Sequence, residues 1–155
     1  MTATKAEVLA ALLANRDDVL SKLRAASAAG LEAGRYENGW NGREILAHVA
    51  SIEWTYRNLV EIARQARNAD PAVARAEGSG LPTREMRGGN DAYNARQVER
   101  RAGATVPELI DEWERNREMT LAAAEGADEA LFAVEIRSAG GVPGALGDVL
   151  LAVTI

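Results

Sequence analysis

One histidine, His48, and no cysteine occur in the 155 residues. Without thiols there is no disulfide framework, no zinc–thiolate centre and no cysteine nucleophile, so a metal here has to be taken by imidazole and carboxylate groups. The neighbours of His48 at helical spacing are poor co-ligands: Ser51 stands at i+3 and Ile52 at i+4. Glu44, at i−4, shares its face but serves as the carboxylate of a capping box. Glu53 lies five residues on and points elsewhere. A zinc or nickel site at His48 would therefore draw two more ligands from other helices, and the sequence has no second histidine to offer. A packed or solvated side chain is the alternative for this residue.

Other groupings are weaker. Asp111, Glu112, Glu114 and Glu118 resemble a carboxylate cluster, but they interleave with Arg115 and Arg117. That pattern predicts the solvated, ion-paired side of a helix and no acid–base pair. Arg84, Arg87, Arg96, Arg100 and Arg101 form a basic run with only Tyr93 available for stacking. In a chain with 18 basic and 23 acidic residues, net charge −5, they predict salt-bridged surface. Nucleic acid and anionic lipid are not the expected partners. Gly88–Gly89 and Gly140–Gly141 lack the strand–turn–helix context of a phosphate loop, and no G-x-S-x-G, H-E-x-x-H or Walker pattern is present.

The elements that must position His48 read as helices. Alanine is the commonest residue, aromatics are 5%, and no segment alternates as a half-buried strand would. The expected fold class is all-α, in one domain over residues 1–155. A first helix opens on the capping box Thr4-Lys5-Ala6-Glu7 and runs to near Gly30, with Val8, Leu9, Leu12, Leu13, Val19, Leu20 and Leu23 on one face. A second opens on Asn41-Gly42-Arg43-Glu44 behind a Trp40–Ile45 staple and continues to about Asn68. Its inward face is predicted as Ile45, Leu46, Val49, Ile52, Tyr56, Leu59, Val60 and Ala63. Residues 70–90, rich in Gly and Pro, predict a long connection that would let the second and third helices run parallel. A short helix over 91–101 precedes the third main helix, which starts at Thr105-Val106-Pro107-Glu108 and ends at Gly126. One further turn follows at 128–132, then a loop over 138–144, and a fourth helix begins near Ala145. No secretory leader and no membrane span are read, which makes a cytoplasmic location the expectation.

The segment Gly39-Trp40-Asn41-Gly42-Arg43-Glu44-Ile45-Leu46-Ala47-His48-Val49 resembles the opening of the second helix in the DinB-like superfamily, which includes the mycothiol-dependent maleylpyruvate isomerase N-terminal domains. Asp91-Ala92-Tyr93-Asn94, Thr105-Val106-Pro107-Glu108-Leu109 and the start of the fourth helix at Gly144-Ala145-Leu146-Gly147-Asp148-Val149-Leu150 are similar too. The resemblance implies a four-helix bundle with a long crossover between helices 2 and 3. It also implies a divalent metal held by one histidine of helix 2 and a His-x-x-x-His or Glu-x-x-x-His pair of helix 4, and substrates that are adducts of low-molecular-weight thiols. Carried over by position, only His48 matches a ligand, and the helix 4 pair would fall beyond Ile155.

The fourth helix is accordingly expected to be incomplete in this chain. Residues 145–155 make only about 16 Å of helix against roughly 37 Å for the first two. Apolar stripes of some hundreds of Å² would then need cover from a longer chain or from a second copy, hence the expectation of a homodimer. Two functions stay open. One is a divalent-metal-dependent enzyme, with zinc or nickel at His48 and a small-molecule thiol adduct as substrate, working by thiol transfer, isomerisation or hydrolysis. The other is a non-catalytic dimerising or small-molecule-binding bundle that lacks a complete metal site.

Overall fold

A computed structural model describes residues 1–36, 39–68, 89–138 and 140–155, with backbone only at 89 and 90. Helices dominate: α1 (Lys5–Ala25), α2 (Ala28–Glu32), α3 (Gly42–Tyr56), α4 (Asn58–Asn68), α5 (Gly89–Arg100), α6 (Val106–Glu125) and α7 (Leu146–Thr154). A 3-10 turn at Glu129–Ala133 and a two-stranded hairpin complete the described chain. The long connection expected between the second and third helices falls on residues 69–88, outside those described. No helix among the described residues is long and apolar enough to cross a membrane.

The three capping boxes are present. Thr4, Asn41 and Thr105 each accept from the backbone N–H three residues on, and Glu7, Glu44 and Glu108 reach back to the cap. Each satisfies two of the amides that a helix start leaves unpaired. Pro107 sits in the first turn of α6, where its missing N–H has no intrahelical role.

Three sequence expectations are corrected. The first helix stops at Ala25 and a separate turn, α2, follows under a Ser27 cap. The second is broken at Arg57 into α3 and α4. The region read without strands contains β1 (Glu135–Arg137) and β2 (Pro143–Ala145), paired antiparallel with Ile136 opposite Gly144. With three residues per strand and only Ile136 buried in β1, the pair is too short to show a period-two pattern.

The buried face of α3 is also rotated from the predicted one. Leu46, Ala47, Ala50, Ser51 and Glu53 are buried, whereas Val49 is 42% exposed. Small side chains at 47, 50 and 51 let α3 approach α6, its most extensive neighbour. Apolar packing divides into two clusters. Val8, Leu12, Leu59, Phe132, Leu146 and Leu150 belong to one, and Leu20, Leu46, Leu109, Ile110 and Trp113 to the other.

At the start of α7, Gly147 is required by a close approach. A Cβ there would come 2.3 Å from the carbonyl oxygen of Ala3. The amide of Ala3 in turn donates to the Asp148 carboxylate at 2.8 Å, which ties the N-terminal segment to α7.

Candidate functional site

His48 stands in the second turn of α3, and the capped start of that helix fixes its surroundings. The Trp40 ring, from the residue before the cap, lies 5.3 Å from the imidazole centroid at a tilt of 45°. The side chain is half-buried, and its Nδ1 is shielded from solvent with no hydrogen-bond partner among the described residues. Burial pushes the His48 pKa below its ordinary value, so the ring is neutral near pH 7 and keeps a free nitrogen lone pair. A buried polar atom left without a partner is costly, which makes this nitrogen the outstanding feature of the site.

Two cavities lie along the same face of α3. One, of about 350 Å³, is lined by Trp40, Arg43 and Glu44 from the start of α3 and by Val98 and Glu99 from α5. The other, of about 330 Å³, begins at Ile52 and Tyr56 and reaches Tyr93 of α5 and Val142 before β2. His48 is one helical turn from Glu44 on one side and from Ile52 on the other. The Arg43 guanidinium donates to the carbonyl oxygens of Arg101, Ala102 and Ala104, capping the end of α5 and the turn after it.

The donor set around His48 supplies one imidazole nitrogen. Glu44 is engaged, accepting from Arg35 at 3.0 Å and from the Asn41 amide at 3.4 Å. Among the described residues no group of three or more His, Asp or Glu side chains is placed to hold a metal ion. Zinc sites ordinarily use three or four protein ligands. His48 therefore fits one ligand position, and the described residues do not complete the shell.

The carboxylates of α6 are surface groups, as their spacing predicts. Glu112 pairs with Arg101 at 2.6 Å, Glu114 with Arg24 at 3.2 Å and Glu118 with Arg16 at 2.6 Å. Arg84 and Arg87 lie outside the described residues. Arg117 overturns the solvated-face expectation: it is 1% exposed and forms an ion pair with Glu53, itself 2% exposed, at 2.6 Å. The guanidinium also donates to the Leu12 carbonyl (3.1 Å), the Asn15 side chain (3.0 Å) and the Thr154 carbonyl (3.1 Å), and lies 4.9 Å from the Trp113 ring. One side chain thus joins α1, α3, α6 and α7 at the seam between the two apolar clusters.

A signal for Arg117 was available in the sequence. It continues the stripe Ile110, Trp113, Leu121 and Ala124 on α6, all buried. Glu53 offered less, because its burial depends on a partner 64 residues away. Burial, aided by the Glu53 charge, raises the Tyr56 pKa to about 12 against the opposing effect of Arg117.

Comparison with known proteins bears on this geometry. A family model described as the DinB superfamily matches residues 11–155. Among solved structures, the mycothiol-dependent maleylpyruvate isomerase superposes with a TM-score of 0.67 at 16% identity, over 99% of this chain and 59% of that one. A histidine-to-alanine mutant of that isomerase gives a TM-score of 0.68 with the same identity and coverage. At such identity the likeness is one of fold, and the chain spans 59% of the length of the solved relative. No curated protein matches the chain.

Proposed function

The chain belongs to the DinB superfamily, and from that premise we propose that it is a divalent-metal-dependent enzyme acting on adducts of low-molecular-weight thiols, with His48 as one ligand of a zinc or nickel ion. The observation that carries the proposal is the buried Nδ1 of His48, which has no partner among the described residues. A neutral imidazole with a free lone pair is the form in which histidine binds metal. The Trp40 ring packed against it restricts its rotation, as a preorganised ligand requires. When bound, such an ion supplies Lewis acidity and lowers the pKa of a coordinated water or thiol. Thiol transfer, isomerisation and hydrolysis all use that chemistry. The chain's own contribution is to hold His48 neutral and shielded, one turn from the cavity of about 350 Å³ that Trp40 and Glu44 line and that is the candidate place for a small-molecule substrate. A second copy of the chain is proposed to cover the exposed side chains of Trp54 and Met119, which are 46% and 44% accessible.

The test is a calorimetric titration of the full chain with zinc and with nickel, repeated on His48→Ala, with far-UV circular dichroism on both proteins. Stoichiometric uptake by the wild type that His48→Ala abolishes, with helicity retained, supports the metal-ligand role. Uptake that the substitution leaves unchanged would overturn it. So would a metal-free wild type whose His48→Ala variant merely loses stability, an outcome that favours the non-catalytic bundle.

A further inference from the structure

The cavity of about 330 Å³ is bounded by α3, α4, α5 and the residues leading into β2. Among the described residues, no side chain lining it is charged. An ion entering it would lose hydration with no counter-charge in return. Ile52, Leu59, Ile62 and Val142 supply aliphatic wall, and the rings of Tyr56 and Tyr93 add flat surface. Three lining residues carry polar groups that the fold leaves unused: Tyr56, Asn58 and Asn94 form no side-chain hydrogen bond with another described residue. The Tyr56 phenol, held protonated by burial and by the nearby Glu53 carboxylate, is a hydrogen-bond donor at every physiological pH. A largely apolar hollow with a few polar groups free to meet a ligand is the usual form of a small-molecule pocket.

We propose that this cavity binds a small, uncharged, ring-containing molecule with a carbonyl or hydroxyl oxygen that accepts from the Tyr56 hydroxyl, while the amide of Asn58 or Asn94 meets its polar edge. At about 30 Å³ per heavy atom, the share of one molecule in liquid water, the volume admits roughly ten non-hydrogen atoms. The site stands apart from the metal-ligand proposal, since His48 is not in its lining.

Benzamide is a suitable probe. It is planar, neutral and of that size, and its carbonyl and amide match the polar groups. Benzoate has the same shape with a charge. Titration of the ¹⁵N-labelled full chain with each, followed by amide chemical shifts, is expected to give saturable benzamide shifts clustered on α3, α4 and α5. Benzoate should bind at least tenfold more weakly. Tyr56→Phe, which removes only the hydroxyl, is expected to weaken benzamide about fivefold, the net worth of one neutral hydrogen bond. Ile62→Trp, which fills the hollow, should abolish saturation, and its amide spectrum reports whether the fold is kept. Equal affinity for benzoate, indifference to Tyr56→Phe in a folded variant, or the absence of saturable benzamide shifts would each overturn the proposal.

Discussion

Replacing Arg117 with methionine removes the charged head of a side chain that touches four helices and keeps much of its apolar stem. Glu53, 2% exposed, is then left with the Thr120 hydroxyl at 3.3 Å as its hydrogen-bond partner among the described residues. The carbonyls of Leu12 and Thr154 lose their guanidinium donor as well. Breaking a buried ion pair by deleting one partner costs about 3–5 kcal/mol, because the other charge stays desolvated without compensation. Against a total stability of roughly 5–15 kcal/mol for a single domain, that is about a fifth or more of the folding free energy. The mechanism predicts a second result. Glu53→Leu combined with Arg117→Met leaves no unpaired charge and should recover at least about half of the loss, since a buried pair replaced by apolar groups is often close to neutral. Urea unfolding followed by far-UV circular dichroism at pH 7 measures all four proteins of the cycle. A loss below about 1 kcal/mol for Arg117→Met, or a double variant no more stable than the single one, would refute the reasoning.

Three further outcomes are expected. Burial depresses the folded-state pKa of His48 below 6.5, so the unfolded chain binds this proton more tightly. The associated stability is fully present above about pH 6.5 and is lost as pH falls through the depressed folded value. Urea midpoints for the wild type should therefore fall on acidification below that pH more steeply than those of His48→Phe, and parallel profiles would count against it. Gly147→Ala forces a Cβ against the Ala3 carbonyl and should cost about 1–3 kcal/mol, the range for overpacking, with a matching drop in thermal midpoint. Thr105→Ala removes the cap of α6 and should cost about 1 kcal/mol in the same assay, whereas Thr105→Ser should cost much less.

The start of α3 was legible because it depends on residues close in sequence. Asn41 and Glu44 close a capping box within four residues, and that box places His48 in the second turn. Thr4 with Glu7 and Thr105 with Glu108 were readable for the same reason. The inward face of α3 was misread: hydrophobic pattern favoured Val49, while the close approach of α6 selected Ala47, Ala50 and Ser51. The cavity under Tyr56 left no mark in the sequence, since its walls come from α3, α4, α5 and the approach to β2.

The sequence by itself therefore determined the helical class, the capped starts of α1, α3 and α6, the lack of cysteine ligands in these 155 residues and the position of the one imidazole, all consequences of composition or of contacts within a few residues. Tertiary structure decided that Arg117 and Glu53 meet in the core and that the Nδ1 of His48 is shielded with no partner among the described residues. It also decided that Tyr56, Asn58 and Asn94 line a hollow with no charged side chain among its described residues. Burial and pairing are properties of surfaces brought together from distant parts of the chain. A charge on one helix cannot register in its own local sequence what stands across from it on another.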